Sequence, residues 1–132
     1  YTPRTRPNRV YSDPGLVDRR DMEAFDMARI VDDHRASGQL FHEFVRAPRL
    51  SVGLYVLPAG ATDPQRPHTE DEVYYVVEGE GVVNVAGDDR PVTTGSVVYV
   101  DEGVEHRFHS ITEDLKLFVV FAPPLRSRAA VT

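Results

Sequence analysis

The sequence predicts an all-β fold, a sandwich or barrel of short strands, with one N-terminal α-helix and an extended N-terminal arm. Three observations carry this. After Gly38 the apolar residues recur every second position, the strand period. The runs are short and separated by Gly- and Asp-containing turns, as in β-sandwiches and barrels. Strands do not alternate with helices, which argues against a parallel α/β sheet. At 132 residues the chain is a single domain, large enough to bury a core.

Tyr1 to Gly15 carries Pro3, Pro7 and Pro14 among polar residues and reads as an extended arm. From about Met22 to Ala36 the apolar residues Met22, Phe25, Ile30 and Val31 follow helical spacing, with Asp21 as a cap and Gly38 as the stop. Strands are expected at Leu40 to Arg46 and Leu50 to Leu57, the second with Leu50, Val52, Leu54 and Val56 on one face. Further strands are expected at Val73 to Val77, Val82 to Val85, Ser96 to Val100, His106 to Ser110 and Leu115 to Ala122. The turns between them include Glu78-Gly-Glu-Gly81, Gly87-Asp88-Asp89 and Thr112-Glu-Asp114. The chain thus divides into arm and helix (1–37), barrel (38–125) and C-terminal tail (126–132).

Composition narrows the function. The net charge is -6 with no basic stripe across the barrel, so nucleic acid is not an expected partner. Arg4, Arg6, Arg9, Arg126 and Arg128 lie near the ends and read as solvated tails. There is no Cys, so disulfides and thiolate ligation are excluded. No apolar run approaches the ~20 residues of a membrane helix, and a cytoplasmic protein is expected. No Ser-His-Asp arrangement, phosphate loop or dinucleotide fingerprint is present.

The chemistry concentrates in two stretches. One runs from Gly60 through His68 and Glu72 to Gly79; the other runs from Gly95 through Gly103 to His106. Imidazole and carboxylate are ligands that zinc, iron, manganese and nickel share. On a strand, Glu72, Tyr74 and Val76 share a face, and so do His106, Phe108 and Ser110. A register continued backwards puts Arg66 beside His68. Antiparallel pairing of the two stretches brings His106 near His68 and Glu72. Two imidazoles and one carboxylate leave positions open to substrate, as a catalytic centre requires.

These residues resemble the two motifs of the cupin superfamily, from about Leu50 to Pro123. Gly60, His68, Glu72 and Gly79 fall on the first motif, with Arg66 where the family places another His. Gly95, Gly103 and His106 fall on the second, with Asp101 in place of Pro and Ser110 in place of Asn. The resemblance implies a double-stranded β-helix, the jelly-roll barrel. It also implies one divalent transition metal (Fe, Mn, Zn or Ni) on His68, Glu72 and His106, a reduced ligand set. Arg66 has no lone pair for a metal. It pairs with Glu72 in the metal's place, turns to the barrel mouth to hold a substrate carboxylate, or escapes to solvent. Gln65 supplies an amide oxygen if a bulge shifts the register.

The expected function is a mononuclear metal enzyme acting on a small organic substrate, of oxygenase, isomerase or lyase type. Glu72 and Tyr74 are its catalytic candidates; Arg66, Gln65 and Phe108 are its substrate contacts. The alternative is a non-catalytic binding protein for a small anion, anchored by Arg66. His34, His42 and His109 are expected to be structural or surface residues. A homodimer is expected, through the arm or the strand from Leu40.

Overall fold

The computed structural model describes residues 21–127. The arm, most of the tail, and the terminal arginines other than Arg126 lie outside the described residues. Helix α1 (Met27–Ser37) is followed by six strands: β1 (Phe41–Arg46), β2 (Ser51–Leu57), β3 (Asp71–Val85), β4 (Asp88–Thr93), β5 (Val97–Val100) and β6 (His106–Ala122). All pairings are antiparallel, in the order β1-β2-β6-β3-β4, with β5 on the free side of the first half of β3. The architecture is a double-stranded β-helix with one helix, as expected.

The expected strands Val73 to Val77 and Val82 to Val85 are one strand, β3, and the last two are one strand, β6. Glu78-Gly-Glu-Gly81 and Thr112-Glu-Asp114 are therefore not turns. They are register shifts where the two strands bend together. Gly79 has φ +110° and allows the bend, while Ser110, at φ +50°, breaks the alternation on β6. Ser110 is exposed and Ile111 takes the inward place, so Ser110 does not share the face of His106 and Phe108.

The bend folds β3 back over itself. Its first half pairs with β5 and the end of β6, and its second half pairs with β4 and the start of β6. Tyr74, Val76, Val83, Phe108, Leu115, Leu117 and Val119 fill the space between the layers. β4 was hidden in the sequence by Pro91, which a sheet tolerates only at an edge, where β4 lies.

Both faces of β2 are covered. Tyr55 and Leu57 point into the core, while Val52 and Leu54 are buried on the other face, where Val52 meets Ile30 of α1. The helix begins at Met27 rather than Met22. Asp26, in extended geometry, takes the N-cap position in place of Asp21, and Gly38 caps the other end at φ +68°. Phe25, ahead of the helix, packs edge-on against Phe44 at 5.1 Å. No helix among the described residues is long and apolar enough to cross a membrane.

Candidate metal centre

The two ends of β3 meet because of the bend. Glu72 lies on the first half, and Val85, near the other end, pairs with His106 on β6. His106 therefore faces Glu72 across the layers rather than as a ladder partner, since the partners of Glu72 are Val100 and Phe121. His68 comes from residues 58–70, a segment without regular structure, so no strand register links it to Arg66. Pro64 and Pro67 each remove a ladder donor there. The segment is held instead by single bonds: Gly103 N–H donates to the His68 carbonyl at 2.7 Å. Buried Glu70 Oε2 accepts from Thr69 Oγ1 and from the Arg126 amide.

One ligand atom from each of His68, Glu72 and His106 lies within 4.8 Å of the others. Glu72 is 1% exposed, and among the described residues its carboxylate makes no well-aligned hydrogen bond, only the close approach of His106. His106 Nε2 approaches Oε1 to 2.7 Å without the alignment of a hydrogen bond. His106 Nδ1 lies 2.8 Å from the Val104 carbonyl, so Nδ1 carries the proton. In the neutral ring a lone pair at Nε2 then faces a buried carboxylate. Either a proton on Nε2 or a metal ion relieves two electron-rich atoms at that distance. The donor set thus fits a divalent transition metal.

The two imidazoles are shifted in opposite directions. Burial lowers the pKa of His68, against the pull of Glu72, which favours the neutral imidazole a metal needs. Burial also pushes His106 down, but Glu72 and the Val104 carbonyl outweigh it and leave its pKa raised. Without a metal, a proton on His106 faces the Glu72 carboxylate. Burial, then Glu72, raises Tyr74 well above the ordinary phenol range, so its hydroxyl stays protonated.

That hydroxyl donates to Gln65 Oε1 at 2.7 Å and lies 3.1 Å from His106 Nε2. A cavity of about 610 Å³ opens beside these groups, lined by Phe41, Tyr55, Arg66, His68, Tyr74 and Phe121, among others. Arg66 is exposed at its edge and does not pair with Glu72, which removes the arrangement in which Arg66 takes the metal's place. Gln65 is half-buried beside His68. Phe108 is fully buried, packs edge-on behind Tyr74 at 5.0 Å and does not line the cavity. Tyr75 and Tyr99 point outward. His109 bonds Asp89 at 2.9 Å, and His34 bonds the Leu40 carbonyl at 2.7 Å.

Sequence reasoning missed Asp63 and Tyr55. Asp63 is 5% exposed and accepts from the Tyr55 hydroxyl at 2.6 Å and from the Phe108 amide at 2.9 Å. Burial and the Asp63 carboxylate push the Tyr55 phenol up. Ahead of Pro64, Asp63 reads as an ordinary turn residue, and nothing local marks it as buried.

Comparison with known proteins agrees with this architecture. A cupin-domain family profile matches residues 53–121. The chain is 47% identical over 103 residues to an uncharacterized Streptomyces coelicolor protein, covering 78% of this chain and 98% of that one. It is 35% identical over 73 residues to an oxalate-binding protein of Thermotoga maritima, covering 54% of this chain and 60% of that one. Among solved structures, an RmlC-like cupin of Methanocaldococcus jannaschii with a double-stranded β-helix fold superposes with a TM-score of 0.58. It has 24% identity, over 63% of this chain and 78% of that one. With the cupin-domain match spanning the strands that carry Glu72 and His106, the chain belongs to the cupin superfamily.

Proposed function

We propose that the protein is a mononuclear metal-dependent enzyme acting on a small organic substrate, of oxygenase, isomerase or lyase type. One observation carries the reading: the buried Glu72 carboxylate, His68 and His106 each offer one ligand atom within 4.8 Å of the others. His68, Glu72 and His106 would hold Fe, Mn, Zn or Ni, which when bound supplies Lewis acidity or a redox centre. The chain's own groups do the rest. Val104 holds the His106 tautomer. Tyr74 holds a proton at its hydroxyl, within reach of His106 Nε2. Arg66 and Arg126, both exposed among the cavity-lining residues, orient an anionic substrate, and Phe41 and Phe121 keep part of the wall dry.

A second reading is a non-catalytic binding protein for a small anion. The two cavity arginines support it, as does the likeness to the Thermotoga oxalate-binding protein. The test is untagged protein loaded in turn with Fe, Mn, Zn and Ni, measured by elemental analysis, then mixed with a panel of small carboxylic acids. About one equivalent of metal and turnover of an acid is the expected result. Saturable binding without turnover selects the second reading. Less than about a tenth of an equivalent of every metal sinks the metal centre.

The reading extends to a cytoplasmic homodimer. Val73, Tyr75, Val97 and Tyr99 form an exposed apolar face on paired β3 and β5, and β1 is an edge strand among the described residues. Light scattering at micromolar concentration should read twice the chain mass; the mass of one chain refutes the dimer.

A further inference from the structure

We propose that Gln65 is a fourth metal ligand through Oε1, and that Asp63 is the positioning residue that turns the amide to present it. The inference rests on the metal reading above and adds a donor and its support to it.

Arg66 occupies the family's fourth-ligand slot and cannot ligate, and it sits at the cavity edge. Its neighbour Gln65 enters the site instead. The two ends of an amide have the same shape, so hydrogen bonding decides which way it points. Gln65 Nε2 donates to Asp63 Oδ2 at 2.7 Å. The flipped amide would set its oxygen against the Asp63 carboxylate, acceptor against acceptor. The oxygen therefore points the other way, 2.7 Å from the Tyr74 hydroxyl and 3.3 Å from His68 Nε2.

Asp63 cannot swing to relax this. Its carboxylate also accepts from the Tyr55 hydroxyl at 2.6 Å, the Gln65 amide at 3.1 Å and the Phe108 amide at 2.9 Å. These donors come from β2, from the Asp63 segment itself and from β6, so Asp63 is fixed from three sides. With its oxygens engaged by donors, Asp63 is itself no ligand.

The spacing suits a shared ion. Two donor atoms, each about 2.1 Å from one metal and about 90–110° apart, lie about 3.0–3.4 Å from each other. His68 Nε2 and Gln65 Oε1 are 3.3 Å apart. Tyr74 takes one lone pair of Oε1 and leaves the second. The completed set is two imidazoles, one carboxylate and one neutral amide oxygen. A divalent ion there keeps a net positive charge, which suits the anionic substrate proposed above, and the two oxygens favour harder ions such as Mn over softer ones.

Co(II) alone is the probe, added to untagged full-length protein, with affinity from chelator competition and ligand number from the visible absorption. Q65L should weaken Co(II) at least about tenfold and change the band positions and intensity of the saturated spectrum. Q65N, too short to span from Asp63 to the site, should do the same and guards against a fold defect in Q65L. D63N should weaken Co(II) by a smaller factor yet restore the wild-type spectrum at saturation, since it loosens the amide without removing a ligand. Circular dichroism checks each fold. Folded Q65L or Q65N with wild-type affinity and spectrum overturns the ligand assignment. D63N indistinguishable from wild type in affinity overturns the positioning role. Wild-type protein that takes up no Co(II) overturns the metal centre itself, a failure distinct from both.

Discussion

Glu72→Gln should weaken metal binding severely and leave the metal-free protein about as stable as before, or more so. Glu72 is a fully buried carboxylate whose close partner among the described residues is His106, a costly group to hold in a core. A fold has no use for it unless a cation completes it. An amide of the same shape carries no charge and can donate to neutral His106 Nε2, so the metal-free state exchanges a costly buried ion pair for a neutral hydrogen bond at little net loss. Metal affinity should fall by at least about a hundredfold, because a direct ligand outweighs the supporting partners whose loss costs ten- to a hundredfold. Chelator competition and thermal melts with and without metal read both effects. A fall of more than about 5 °C in the metal-free melting temperature would make Glu72 a structural residue. The metal reading would then lose its main support.

Gly79→Ala should be strongly destabilising, because the added methyl meets backbone that cannot move aside. Gly79 stands at the bend of β3 with φ +110°, which side chains avoid. An added Cβ would meet the Asp114 carbonyl oxygen well inside van der Waals contact and would lie 2.7 Å from Leu115 Cα. Both obstacles are backbone of β6, which cannot rotate away. Strain and clash together should cost about 3 kcal/mol or more, or about 10 °C in melting temperature. A variant within about 1 kcal/mol of wild type in chemical denaturation would show that the bend tolerates a Cβ and that glycine is not what permits it.

The sequence shows some of this plainly and hides the rest for physical reasons. Alternation along Glu72, Val73, Tyr74, Tyr75 and Val76 is visible because one side is core and the other is exposed, and the burial pattern follows it. His68, Glu72 and His106 stand out in the sequence because few residue types can ligate a metal, and the fold does gather them within 4.8 Å. Glu78-Gly-Glu-Gly81 reads as a hairpin turn because glycine marks turns and strand bends alike. The placement of Gln65 depends on the irregular segment before β3, which no periodicity describes. Its anchor Asp63 is held by Tyr55 and Phe108, partners distant along the chain. Local pattern carries no trace of such bonds.

The unbroken run of β3 and β6 through both layers has a consequence for how the molecule assembles. Along that ladder Val85 and His106 are the partners nearest in sequence, and Asp71 and Ala122 the most distant. Loop-closure entropy favours closing the short end first and zipping toward the long one. His106 belongs to the end that closes early, and Glu72 to the end that closes late. The pocket is thus a clasp joining the first and last links of the zipper. Metal capture during refolding should lag behind strand formation, and stopped-flow absorbance of Co(II) that leads the far-ultraviolet signal would contradict that order.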